Sequence, residues 1–202
     1  MIVHEMLRAT AQKNPDKTAL IFGSRKISYQ ELLEMTDSLS FALFQRGVKK
    51  GDAVILMLHN CWEFVVCYVG IARIGAITVP IDARLKGEEL SAIIEHSGAR
   101  FLIIHRSLWE ASRDFFSKNF SRERTLFVDD KHQQEDFYEI VHSASRSAIP
   151  AVQISDADEA LYYYTSGTTG KPKGVVLTFG NLDWFQVGIT PYTSSDDIVG
   201  FV

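Results

Sequence analysis

Three apolar runs, with helical sequence between them, constrain this chain more than any other feature. Ala53-Val54-Ile55-Leu56-Met57-Leu58 is interrupted by no polar residue, and Phe101-Leu102-Ile103-Ile104 repeats the pattern. Ile77-Thr78-Val79, closed by Pro80, lies between them. A strand with one wet face alternates apolar and polar residues. A run that is apolar throughout fits a strand buried on both faces, as in a parallel sheet covered by helices. The intervening segments are helical in pattern. Trp62 to Ile74 is apolar nearly all round and predicts a buried helix, with Asn60 and Glu63 marking its start. Residues 87–96 carry Glu88 and Glu89 in a first turn, with Gly98 just beyond the end. Strand and helix in alternation predict a doubly wound α/β fold, a mainly parallel sheet flanked by helices.

The N-terminal part adds a small hairpin. Residues 2–13 read as a short amphipathic helix, and Lys17 to Phe22 as a strand. Gly23-Ser24 turns the chain into Lys26-Ile27-Ser28. Ser28 and Glu31 form a capping-box pattern for the next helix, whose stripe is Leu32, Met35, Leu39, Ala42 and Leu43. Arg46 and Gly47 close it. Beyond residue 106 the signals weaken: a helix near 107–118, a strand at Thr125–Val128, then a polar stretch over 130–155 that reads as a connection between lobes. The organisation expected is an N-terminal α/β lobe over 1–155 and a segment over 156–202 that begins a following lobe.

Composition excludes several classes. The chain has 202 residues, 46% of them hydrophobic, and a net charge of −4 without a basic tract, which argues against nucleic acid as a partner. The N-terminus has an early acid and no signal-peptide core. The most apolar region, 53–81, is broken by Asn60, Glu63 and Arg73, so no transmembrane segment is expected, while peripheral membrane contact stays open. The two cysteines, Cys61 and Cys67, lack metal or disulfide spacing and read as buried thiols in a cytoplasmic protein. The six histidines, His4, His59, His96, His105, His132 and His142, read as surface or helix-end residues. Glu135-Asp136 reads as a solvated face.

The chemistry concentrates in Thr165-Ser166-Gly167-Thr168-Thr169-Gly170-Lys171-Pro172-Lys173-Gly174. Strand patterns flank it: Glu159 to Tyr164 before, with three consecutive tyrosines that could brace the loop, and Val175-Val176-Leu177 after. A P-loop needs four residues between its glycines, then Lys-Ser/Thr and a helix. Here two residues separate Gly167 from Gly170, and Pro172 follows Lys171. An anion would be held differently. Gly167 and Gly170 let backbone N–H groups approach, the hydroxyls of Thr165, Ser166, Thr168 and Thr169 donate, and Lys173 supplies a point charge. A triphosphate carries more charge than one or two lysines offset, so Mg²⁺ is expected with it. A plain Ser/Thr/Gly surface loop is the competing reading.

Tyr162 to Val175 resembles the signature of the adenylate-forming superfamily, which comprises acyl-CoA synthetases, luciferases and amino-acid adenylation domains. Further segments are similar to the family: Ile27 to Leu32, Ala72 to Asp82, Gly51-Asp52, Asn60, Val176-Leu177-Thr178, and Asn181-Leu182. Phe179 departs from the His or Arg often found at its position. The resemblance implies that a small-molecule carboxylic acid, a fatty acid for acyl-CoA synthetases, attacks the α-phosphate of ATP, and that coenzyme A then takes the acyl group. It implies that Thr165, Ser166, Gly167, Thr168, Thr169, Gly170 and Lys173 embrace the β- and γ-phosphates, with Thr165 also at Mg²⁺. Lys173 rather than Lys171 is the base the family requires. Thr168 favours acyl-CoA synthetases, since amino-acid adenylation domains more often have Ser there, but that alternative stays open, as does a non-catalytic nucleotide-binding or interaction module. Family members are far longer. The remaining ATP contacts, the acyl pocket and the catalytic lysine lie beyond this loop, so no catalytic residue is expected here. The chain reads as an N-terminal fragment, inactive alone, that lacks the C-terminal part of its own chain. Asp196 to Val202 reads as the start of another strand.

Overall fold

A computed structural model describes residues 3–129, 136–142, 151–165 and 172–189. Helix α1 (Val3–Lys13) precedes an antiparallel hairpin of β1 (Thr18–Phe22) and β2 (Arg25–Ser28). Helix α2 (Tyr29–Gln45) follows at once, because Ser28 is extended and its Oγ accepts the Glu31 N–H at 3.1 Å. The Glu31 carboxylate is held by Arg25 at 3.1 Å, which ties the helix start back to the hairpin.

The expected strands and helices then alternate: β3 (Ala53–Met57), α3 (Trp62–Arg73), β4 (Ile77–Pro80), α4 (Gly87–Ser97) and β5 (Phe101–His105). Gly98 ends α4 at φ 61°, a left-handed conformation that glycine adopts without a Cβ penalty. The helix start at Asn60 needs correction. The residue capping α3 is Cys61, and its side chain makes no capping hydrogen bond. The helix is fixed by burial instead, with Trp62, Val66, Cys67, Val69 and Ile71 in the core.

The weak helix near 107–118 is two short ones, α5 (Arg106–Ala111) and α6 (Arg113–Asn119), which Ser112 separates at φ −143°. Strand β6 (Thr125–Val128) follows. The stretch expected as a polar connection over 130–155 contains helix α7 (Asp136–His142). It packs against α2 and buries Phe137, Tyr138 and Val141. One apolar cluster on a seven-residue helix is too short for periodicity to reveal. Last come β7 (Glu159–Thr165), β8 (Lys173–Thr178) and α8 (Phe179–Ile189).

Six strands form one sheet in the order β6-β5-β3-β4-β7-β8, parallel except for the antiparallel β7–β8 pair. Alternation sorts the strand side chains into two cores. Val54, Leu56, Phe101, Ile103, Leu126 and Val128 meet α1, α2, α3 and α7 on one face. Ala53, Ile55, Met57, Ile77, Val79, Leu102, Ile104 and Phe127 meet α4, α5 and α6 on the other. Each fully buried aliphatic side chain contributes about 1.5–3 kcal/mol of transfer free energy. This double burial explains why Ala53–Met57 and Phe101–Ile104 carry no polar residue.

Candidate functional site

Since β3, β4, β5 and β7 run parallel, their C-terminal ends share one edge of the sheet, where ligands of open α/β sheets bind. Strand β7 delivers Thr165 to that edge, and the antiparallel return places Lys173 directly opposite it. The sequence placed a loop between two strands. The fold makes those strands neighbours, so the first and last residues of the phosphate-loop candidate face each other. Both are exposed. Ser166, Gly167, Thr168, Thr169, Gly170 and Lys171 lie outside the described residues, as do His132, Glu135 and the strand expected over 196–202.

The hairpin is braced on one side. Tyr162 and Tyr164 share a face and pack on the edge of the second core, while Tyr163 projects from the opposite face. Tyr162 donates to Glu159 at 2.5 Å, and burial, with this bond second, pushes its pKa up to about 12. Tyr164 Oη lies 2.8 Å from His96 Nδ1 at the end of α4. Behind the hairpin, Lys50 reaches Asp158 at 2.6 Å and the Gln153 carbonyl at 2.9 Å. Helix α8 begins with a reciprocal cap: Thr178 N–H donates to Asn181 Oδ1 at 3.0 Å, and Asn181 N–H to Thr178 Oγ1 at 3.2 Å. Phe179 is buried against Ala72 and Ala160, so a residue that departs from the family pattern serves packing here.

Other polar groups on the edge satisfy one another. Arg84 donates twice from its side chain to Asp82 and once from its backbone, holding that carboxyl down at about 2. Where the loops from β3 and β5 depart to opposite faces, a cavity of about 340 Å³ is lined by His59, Cys61, Trp62, Glu63, His105 and Tyr138 among others. Tyr138 donates to the buried Glu63 at 2.5 Å, Arg25 stacks on Trp62 at 3.9 Å, and Cys61 Sγ lies 3.9 Å from His105 Nε2. Burial, reinforced by Glu63, pushes the Cys61 thiol up to about 12, so it is no nucleophile at neutral pH. Cys67 is fully buried, as expected.

Two of the histidines sit at helix ends, as expected, but are buried rather than on the surface. His4 is buried, its Nε2 3.1 Å from Asp37, which also holds Arg73 and Arg8. His105 is buried at the end of β5. Neither position shows in the sequence, because the partners are distant along the chain.

Among the described residues, no three His, Cys, Asp or Glu side chains could hold a metal ion. Thr165 offers one neutral oxygen. That donor set suits Mg²⁺ only as one ligand of an ion arriving with phosphate oxygens. No helix among the described residues is long and apolar enough to cross a membrane.

A doubly wound α/β sheet with a hydroxyl- and lysine-ended hairpin at its C-terminal edge defines the class: an α/β layered domain with a nucleotide-phosphate candidate site. The chain belongs to the AMP-binding enzyme family, whose model matches residues 7–201. It is 38% identical over 179 residues to the crotonobetaine/carnitine–CoA ligase of Salmonella paratyphi C, covering 83% of this chain and 34% of that protein. A long-chain-fatty-acid–CoA ligase (FadD1) from Archaeoglobus fulgidus superposes with TM-score 0.83 and 30% identity, over 96% of this chain and 40% of that one. The Mycobacterium tuberculosis fatty acyl CoA synthetase gives TM-score 0.72 and 28% identity, over 88% and 34%. The chain thus spans about a third of the length of the curated relatives it matches, 34% for the first.

Proposed function

We propose that this chain supplies the phosphate-binding part of an ATP-dependent acid–CoA ligase. In that reaction a carboxylate displaces pyrophosphate from ATP to give an acyl-adenylate, and the thiol of coenzyme A then displaces AMP. The carrying observation is the pairing of Thr165 with Lys173 at the C-terminal edge of the sheet, at the two ends of the Ser166–Gly170 run. A carboxylate is a weak nucleophile, and its target is anionic, so catalysis rests on positioning and charge neutralisation. Lys173 gives a point charge for the leaving pyrophosphate. Thr165 and Ser166 give hydroxyl donors, Thr168 and Thr169 do the same, and Gly167 and Gly170 let backbone N–H groups approach. Thr165 would give one oxygen to Mg²⁺ held by the nucleotide, and the ion would supply further charge neutralisation.

The substrate class we assign is a small-molecule carboxylic acid, with a fatty acid first. The names of the relatives, a carnitine–CoA ligase and fatty-acid ligases, favour this over amino-acid adenylation. The relatives are about two and a half times as long, so the 202 residues alone hold only part of the site and are proposed to be inactive. Carboxylate-dependent exchange of labelled pyrophosphate into ATP tests this. Fatty acids, carnitine-like acids and amino acids are offered in turn, to this chain and to a longer protein in which it is continued to the length of its relatives. Exchange by the longer protein alone, with a fatty or carnitine-like acid, is the expected result. Exchange by the 202-residue chain refutes its inactivity, and exchange with amino acids only refutes the substrate class.

A further inference from the structure

The mouth of the β7–β8 hairpin stands beyond the sheet that carries it. Strand β7 is registered on β4 at Thr78↔Leu161, and Thr165 lies further along toward the edge. On its other side β8 is the sheet's last strand, with Lys173 to Val176 exposed. An edge strand held on one side only is a poor platform for a charge that must be placed to within an ångström. A lysine adds to the problem, because its ammonium sits on a flexible four-carbon stem.

A contact from outside the sheet reaches this mouth. Tyr164 sits opposite Gly174 in the register, beside the Thr165↔Lys173 pair. A Cβ added to Gly174 would stand 3.1 Å from Tyr164 Cε1 and 3.2 Å from Cζ, so the tyrosine ring lies across β8 in the space the glycine leaves. The hydroxyl end of the ring, its Oη 3.5 Å from that Cβ position, is held by His96. The two rings are perpendicular, at 88° with centroids 5.8 Å apart, and Oη meets Nδ1 at 2.8 Å. Burial raises the Tyr164 pKa, so the phenol keeps its proton and offers it as a donor toward Nδ1. His96 itself is on a fixed element, since α4 is anchored by Leu90, Ile93 and Ser97 in the core.

We propose that His96 is a positioning residue for the phosphate loop. It acts through Tyr164, whose ring holds Gly174 and so sets the separation and orientation of Thr165 and Lys173. Gly174, the last residue of the candidate loop in the sequence, then serves as the seat for that ring. This inference rests on the phosphate-loop reading above.

The test uses H96A, H96N, Y164F and the double variant H96A/Y164F. Asparagine can return an acceptor near Nδ1, and phenylalanine keeps the ring without its donor. In the longer protein, H96A and Y164F are each expected to raise the KM for ATP roughly fivefold, the worth of one hydrogen bond, with the carboxylate KM unchanged. The double variant should be no worse than either single, and H96N should recover most of the loss. In the 202-residue chain, amide exchange of residues 173–176 should quicken by about the same factor in H96A and Y164F, while β3 amides and the melting temperature stay unchanged. Unchanged hairpin exchange, effects that multiply in the double variant, or a loss spread to β3 overturns the proposal. Should the longer protein show no ATP-dependent exchange with any acid, the phosphate-loop reading fails, and the phosphate part of this inference with it. The amide arm still decides whether His96 holds the hairpin.

Discussion

The centre of the sheet and its outer hairpin are built on opposite terms. Strands β3 and β5 are buried at every residue, with helices on both faces and strands on both sides. Strands β7 and β8 lie at the margin, where Tyr163, Val175 and Val176 are 53%, 45% and 49% exposed. The centre tolerates little change, because each side chain fills a defined space. The hairpin is lightly packed, and in the function proposed above its value lies in where it puts Thr165 and Lys173. The comparison teaches that the packed core and the candidate site occupy different strands of one sheet, so each can be damaged without the other.

The largest effect should come from the centre. Leu39 of α2 is fully buried against the first core, and Leu39→Ala should cost about 2–5 kcal/mol in urea unfolding. A loss under ~1 kcal/mol would mean that the core is looser than the burial implies. The matching change at the margin is Lys173→Ala in the longer protein. Adenylation should fall on the order of 100-fold, with an unchanged melting profile, since the side chain is exposed. An unchanged rate would remove Lys173 from the site.

Alkaline pH divides the regions more finely. Cys61 has an ordinary value of 9.0 and is held near 12 by burial, and Tyr162 moves from 10.0 to about 12. Below the ordinary values both groups are protonated in the folded and unfolded chains, and the stability is fully present. As pH rises toward 12, the unfolded chain ionises first and that stability is lost. Unfolding midpoints should therefore hold up to pH ~9 and fall above it, by about 2 kcal/mol near pH 10.5 from Cys61. Cys61→Ala should flatten much of the fall, and an unchanged slope would clear Cys61.

Asp37→Asn should cost about 1–3 kcal/mol at neutral pH, because Arg73 is 16% exposed and would lose its carboxylate. Calorimetry on the variant checks this. The smallest effect belongs to the open face. Val176→Thr should shift stability by less than ~0.5 kcal/mol, and a larger loss would show that β8 is covered rather than exposed.

The centre was legible because its signal is local and dense. Ala53 to Leu58 shows a doubly buried strand in consecutive residues, and Ser28 with the stripe from Leu32 to Leu43 shows where α2 starts and which face it hides. Helix α7 was not legible, since Phe137, Tyr138 and Val141 make a single turn's worth of apolar surface inside a polar stretch. The buried His4 and His105 escaped for a related reason, because a histidine's burial depends on partners such as Asp37 that lie far along the chain. Of the candidate site, the residue types and the order strand–loop–strand could be read, and so could the exclusion of a Walker loop. The seat of Tyr164 over Gly174 and its grip by His96 could not.

The sequence by itself determined the alternation of strands and helices, the buried faces, the family and the residue types of the candidate loop, because these are written in neighbouring residues and short periods. Only the tertiary structure decided that β7 joins the sheet beside β4, that Thr165 faces Lys173, and that α4 lends a histidine to the hairpin. The physical reason is that strand order and cross-strand register follow from how helices and strands pack over long separations, and no short stretch of the chain encodes that packing.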